Sequence, residues 1–139
     1  LPGIVEGKVV AIIDDSIIRG TVSRSVVQAV KEAGCKKVYF FSTWPPTKYP
    51  CDWGIDMHTY EELIAANKSI DEIAAYLGAE NVFYMPLEGL LEVLTEQNAS
   101  IIQRDVKRGI FDPIVLEQKL SMNDFCIACL NNEIPTPRK

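Results

Sequence analysis

The chain has 139 residues, 47% of them hydrophobic and 24% charged, with a formal net charge of -5. That length makes one domain with a real core and not two, and the composition excludes gross disorder. No basic stripe suits nucleic acid, no run of about 18 apolar residues suits a membrane span, and no signal peptide is evident, so the expectation is a cytoplasmic protein. Lys8 to Ile13, KVVAII, reads as a buried parallel strand, short, β-rich and bounded by polar residues. Val22 to Ala33 places Val22, Val26, Val27, Ala29, Val30 and Ala33 at helical spacing, and Gly34 stands where a helix C-terminal glycine belongs. Lys37 to Ser42, KVYFFS, reads as a second buried strand. Together these make a β-α-β unit, whose crossover is expected to be right-handed.

The next stretch, TWPPTKYPCDWGID, carries three prolines and two tryptophans and reads as a loop. Thr59 reads as the N-cap of a helix, with Glu62 completing a capping box; Ser69 and Glu72 repeat the pattern, and Gly78 closes the second helix. NVFYM is a short strand, and PLEGLLEVLTEQ a helix opened by Pro86. After Asn98 the sequence is less periodic and ends in a polar, proline-containing tail. A doubly wound α/β domain carries about five parallel strands. This chain supplies two clear strands and a weaker third, so the sheet is small or continues upstream. Leu1 in place of Met also reads as a trimmed chain or a fragment, or as the result of processing.

The chemistry gathers at IIDDSIIRGT, 12–21. Ligands of open α/β sheets bind beyond the carboxyl ends of the strands, where Asp14 and Asp15 stand. The following helix start offers free N–H groups and a positive dipole end, which favour a phosphate. Ser16, Thr21 and Ser23 supply hydroxyls, Gly20 permits close backbone approach, and Arg19 adds a forked cation. The two acids suit hydroxyls or a hard cation such as Mg2+. A ligand with a sugar diol and a phosphate, a ribose 5-phosphate unit, fits both halves. The plain structural alternative weighs as much on residue chemistry alone: the acids cap a turn and Thr21 or Ser23 caps the helix.

Four cysteines, Cys35, Cys51, Cys126 and Cys129, read as metal, cluster or buried residues and not as disulfides, given the size of the core. Cys126 and Cys129 form C-x-x-C, which fits metal, cluster or redox chemistry, or two small hydrophobes on a helical face. His58 reads as a surface or cap residue, Trp44 and Trp53 as packing for the proline loop, with Trp44 also able to border the ligand site, and Lys36 and Lys37 as a solvated strand entrance.

VVAIIDDSIIRGTVSRSVVQAVKEAGCKKVYF resembles the phosphoribosyl pyrophosphate (PRPP) loop of type I phosphoribosyltransferases, and within them the glutamine PRPP amidotransferases. The D-D-S-I-V-R-G-T-T form, with arginine before glycine, is the amidotransferase version. The likeness continues through PPTKYPCDWGIDMHTYEELIAANKSIDEIAAYLGAENVFYMPLEGLLEV to FCIACLNNEIPT, and is weak from about Thr95 to Asp124. Val22 departs from it, standing where the family has a second threonine, and CLNNEIPT replaces a form nearer C-F-T-G-x-Y-P-T.

The resemblance implies an α/β fold, the C-terminal portion of a type I phosphoribosyltransferase domain over residues 1–139. The glutaminase domain, its nucleophile and the pyrophosphate-binding loop would lie outside it, and no catalytic residue would lie in this chain. It implies that Asp14, Asp15, Ser16, Ile17, Ile18, Arg19, Gly20, Thr21, Val22 and Ser23 bind PRPP, with Asp14 and Asp15 also holding Mg2+. It implies that Cys51, Cys126 and Cys129 supply three of the four ligands of a 4Fe-4S iron–sulfur cluster in the complete enzyme, while Cys35 is structural. It further implies formation of 5-phosphoribosylamine from PRPP and glutamine, purine nucleotides as feedback inhibitors, and a homo-oligomer. Two other expectations stand beside the enzyme: a PRPP or purine-nucleotide binding module without catalysis, and a structural piece whose open sheet edge pairs with a partner chain.

Overall fold

The computed structural model describes residues 3–51, 53, 55–57, 59–109 and 125–133; for 95–102 only the backbone is described. Strand β1 (Val9–Asp14) leads through a loop to helix α1 (Thr21–Glu32) and strand β2 (Lys37–Ser42). A 3-10 turn (Tyr60–Glu62), helix α2 (Ile64–Asn67), helix α3 (Ile70–Leu77), strand β3 (Asn81–Tyr84) and helix α4 (Leu87–Lys107) follow. Helix α5 (Ala128–Asn131) lies in the later described segment. The strands form one parallel sheet in the order β1-β2-β3, with Asp14 level with Ser42 and Ser42 level with Tyr84. All three carboxyl ends therefore open at the same edge.

One face of the sheet carries the core. Val38, Phe40 and Val82 point into it from the strands, Val27 and Val30 from α1, and Ile73, Ala74 and Leu77 from α3. Ile17 seals the same cluster from the loop after β1, and Ile64 from α2. Full burial of one such aliphatic or aromatic side chain contributes about 1.5–3 kcal/mol, so this face holds the element order together. Helix α3 begins at a capping box: Ser69 Oγ accepts from the Glu72 N–H, and the Glu72 carboxylate accepts from the Ser69 N–H at 2.8 Å. It ends at Gly78, whose φ of 78° is the left-handed cap expected there.

Three expectations change. Strands buried on both faces were expected, yet Val9 is 59%, Ile13 72% and Phe83 42% exposed. Period-2 alternation sends these residues to the face away from α1 and α3. The capping box at Thr59 does not form: Thr59 makes no side-chain cap bond, and the turn breaks at Leu63, which is extended. The Thr59 hydroxyl instead donates to Glu62 Oε1 at 3.0 Å, while Arg19 holds the other oxygen of that carboxylate. Finally, α4 runs past Asn98 to Lys107 and stops before Gly109, with φ 72°; no glycine or proline interrupts it after Gly89. Among the described residues no helix is long and apolar enough to cross a membrane.

Candidate functional site

The β1 strand delivers Asp14 to the open edge of the sheet, where the next strand clamps it. Thr43 donates its N–H to the Asp14 carbonyl at 2.9 Å, and its hydroxyl lies 3.3 and 3.4 Å from the Asp14 and Asp15 carbonyls. Each carboxylate accepts the N–H of the residue after it, Asp14 from Asp15 at 3.0 Å and Asp15 from Ser16 at 2.6 Å. The turn-capping role foreseen for the acids is thus present, and uses one oxygen of each.

Ile17 turns inward and is 2% exposed, so it anchors the loop in the core and gives its side chain to no ligand. The Ile18 carbonyl accepts from the Ile64 N–H at 2.9 Å. Gly20 has φ 76°, and a Cβ placed there would lie 2.8 Å from Ile64 Cδ1 and 3.2 Å from Tyr76 Cε1. The loop thus needs glycine twice, for its backbone and for contact with α2 and α3.

Helix α1 starts directly after Gly20, with no side-chain cap and no acid in its first turn. The first intrahelical bond runs from Arg24 N–H to the Gly20 carbonyl at 2.9 Å. The N–H groups of Thr21, Val22 and Ser23 consequently have no partner within the helix. The helix cap by Thr21 or Ser23 that competed with a ligand site is absent. A cavity of about 300 Å³ opens onto this helix start, lined by Asp14, Asp15, Ser16, Ile18, Arg19, Gly20, Thr21, Val22 and Ser23. Nine of the ten residues singled out from the sequence line it, all but Ile17.

A second cavity, about 410 Å³, shares Asp15, Ser16, Ile18 and Arg19 with the first and continues over Trp44, Thr47, Ile55, Asp56 and Met57. Its wall is mainly apolar. Thr47 is 1% exposed, and its hydroxyl has no hydrogen-bond partner among the described residues. Trp44, read from the sequence as packing that could also border the ligand site, does line this cavity, whereas nothing in the sequence signalled Thr47, Ile55 or Met57 as neighbours of the loop.

Arg19 stands at the junction of the two cavities, already engaged. Its Nε donates to Glu62 Oε2 at 2.8 Å, its Nη2 to the same carboxylate and to the Asp56 carbonyl at 3.0 Å. The Asp56 carboxylate lies 3.6 Å away. The hydrogen bond to Glu62 raises the guanidinium pKa, and the same bond holds the Glu62 carboxyl below its ordinary value, helped by Thr59.

The cysteines meet in another neighbourhood. Lys48 and Tyr49 both donate their N–H groups to the Cys129 carbonyl at 3.0 Å, which docks 125–133 against the proline loop. Cys51 N–H bonds the Met57 carbonyl at 2.8 Å, and Trp53 N–H lies 3.4 Å from Cys51 Sγ. Burial pushes the Cys129 thiol pKa up, and the neighbouring Cys51 and Cys126 push it further. The three cysteines are therefore neighbours across a long stretch of sequence. Among the described residues, however, no three or more His, Cys, Asp or Glu side chains are arranged to hold a metal ion. Cys35 packs half-buried against the core, as its structural reading requires. His58 lies outside the described residues.

No protein-family model matches the chain. It is 39% identical over 131 residues to the amidophosphoribosyltransferase of Archaeoglobus fulgidus, covering 94% of this chain and 24% of the relative. It is 36% identical over 135 residues to that of Homo sapiens, covering 94% and 26%. The structure of glutamine PRPP amidotransferase from B. subtilis, complexed with ADP and GMP, matches with a TM-score of 0.72 at 36% identity over 99% of this chain and 26% of that one. The structure of an allosteric regulatory enzyme of purine biosynthesis matches with a TM-score of 0.73 at 37% identity. The chain spans about a quarter of the length of these relatives. Sequence and fold agree that it belongs to the amidophosphoribosyltransferase family, corresponding to the C-terminal part of those enzymes.

Proposed function

We propose that this chain is the PRPP-holding part of an amidophosphoribosyltransferase, which makes 5-phosphoribosylamine, pyrophosphate and glutamate from PRPP, glutamine and water, the committed step of purine synthesis. The observation that carries the reading is the cavity at the uncapped start of α1, lined by Asp14 to Ser16 and Ile18 to Ser23. The N–H groups of Thr21 to Ser23, with the hydroxyls of Ser16, Thr21 and Ser23, receive the 5-phosphate. Val22 contributes only its backbone. The helix dipole adds about 0.3–1 kcal/mol, so the bonds converging on the phosphate supply most of the affinity.

Asp14 and Asp15 face the ribose diol, each with a carboxylate oxygen beyond the one bonded within the loop. Acceptors held beside a sugar that gains positive charge at its anomeric carbon stabilise that charge, so the loop works by positioning and electrostatics. The same two carboxylates are hard oxygen donors of the kind that would hold Mg2+ with most of its waters retained, which would supply charge neutralisation of the pyrophosphate.

The names of the relatives favour an enzyme over a stand-alone binding module. In the full enzyme the partners are a glutaminase domain, further copies of the chain, and purine nucleotides that compete for the same loop. The resemblance gives Cys51, Cys126 and Cys129 to three of the four thiolates that a 4Fe-4S cluster requires; the described side chains are not arranged around an ion, and the Trp53 N–H directed at Cys51 Sγ would tune such a cluster if bound. A fourth ligand must come from elsewhere. Calorimetric titration of Mg·PRPP into the chain, beside an Asp14→Asn, Asp15→Asn double variant, tests the loop. Saturable binding lost in the variant is expected; equal binding by both, or none by a folded wild type, overturns the assignment.

A further inference from the structure

Arg19 is the one cation of the loop, and the simplest expectation gives it to the phosphate. Its geometry argues otherwise. The Glu62 carboxylate takes both Nε and Nη2, and the Asp56 carbonyl takes Nη2 as well. A guanidinium committed in this way to a carboxylate is already neutralised, and turning it to a phosphate would break both of its bonds to Glu62 Oε2, leaving that carboxylate with the Thr59 hydroxyl at Oε1. Two neighbouring contacts point the same way: the Ile64 N–H holds the Ile18 carbonyl at 2.9 Å, and Gly20 lies against Ile64 and Tyr76. Residues 18, 19 and 20 are thus tied, one after another, to the segment from Asp56 to Tyr76. The uncapped N–H groups of α1 begin at the next residue.

We propose that Arg19 is a positioning residue: it latches the phosphate loop to Glu62 and Asp56, and so sets the place of the α1 N–H groups without itself touching the phosphate. Arg19 is also one of four residues, with Asp15, Ser16 and Ile18, that line both cavities. The inference rests on the reading of the loop as a PRPP site. It makes Glu62, outside both cavity linings, a determinant of PRPP affinity.

A mutant cycle tests it in the full 139-residue chain, by calorimetry with Mg·PRPP and by amide hydrogen exchange without ligand. If Arg19 acts through Glu62, Arg19→Gln and Glu62→Gln each weaken binding about tenfold, and the double variant is no weaker than either single one. Arg19→Lys, which keeps the charge but loses the fork, fails to restore affinity. If Arg19 instead binds the phosphate, Glu62→Gln leaves affinity unchanged or improves it, and Arg19→Lys rescues; that result overturns the latch. Hydrogen exchange separates the latch from the ligand assignment. The latch predicts that both single variants speed exchange at the Ile64 amide, even if wild type binds no PRPP. Unchanged exchange in both variants refutes the latch, whereas absence of wild-type binding refutes only the PRPP reading.

Discussion

Replacing Gly20 by alanine separates two costs that the loop imposes at one position. The first is conformational, because φ at Gly20 is 76°; a left-handed residue with a Cβ loses about 1–2 kcal/mol. The second is steric. The new methyl would stand 2.8 Å from Ile64 Cδ1, 3.2 Å from Tyr76 Cε1 and 3.5 Å from Leu77 Cδ2. Ile64 and Leu77 are 6% and 2% exposed, so neither moves freely, and overpacking of this kind costs about 1–3 kcal/mol. Gly78→Ala is the control. Its φ is 78°, but its new methyl would meet Lys31 Nζ and Val27 Cγ1 at 3.7 and 3.9 Å, ordinary contact. Both variants carry the first cost and only Gly20→Ala carries the second. Thermal unfolding by circular dichroism should therefore place Gly20→Ala roughly 3–15 °C below Gly78→Ala. Melting of the two within about one degree of each other would refute the close packing of the loop on α2 and α3.

Further outcomes follow from single contacts. Phe40 is 0% exposed at the centre of the sheet, so Phe40→Ala should cost about 3–5 kcal/mol in urea unfolding. Ser69→Ala removes the α3 cap and should cost about 1 kcal/mol in the same assay. The cap also has a pH signature. Hydrogen bonds from the Ser69 backbone and side chain lower the Glu72 pKa, so its contribution is present above the unfolded carboxylate range and fades as pH falls through the folded value. The stability gap between wild type and Ser69→Ala should therefore narrow in acid, and a gap constant from neutral pH to pH about 3 would contradict the bond. Among the cysteines, Cys126 is exposed while burial and its neighbours raise the Cys129 thiol. Iodoacetamide labelling followed by peptide mass spectrometry should modify Cys126 first, and the reverse order would contradict the arrangement.

The β1-α1-β2 unit was legible because each element carries a local signal: apolar runs of strand length, a helical stripe through Val27 and Val30, and glycine at the helix end. Ser69 and Glu72 were legible for the same reason, since a capping box involves only neighbours in sequence. Thr59 and Glu62 carry the same letters and form no box: the Thr59 hydroxyl donates to one oxygen of the Glu62 carboxylate, and Arg19, 43 residues earlier, holds the other. Local pattern has no access to such a pairing. The open face of the sheet was misread on similar grounds. Val9, Ile13 and Phe83 are as apolar as a two-sided core strand demands, yet they lie on the face away from α1 and α3 and are exposed. The site divides in the same way. The contiguous loop from Asp14 to Ser23 stood out in sequence, whereas the second cavity draws on Trp44, Thr47, Ile55 and Met57 from a proline loop without periodicity.

The central claim is that the start of α1 holds the 5-phosphate of PRPP. A nitrogen–proton NMR titration of the chain with Mg·PRPP addresses it residue by residue. The account predicts saturable shifts concentrated at the amides of Gly20, Thr21, Val22 and Ser23, with smaller ones at Asp15 and Ser16. Shifts confined to Trp44, Thr47 and Met57, or none at the α1 start at saturating ligand, would contradict it.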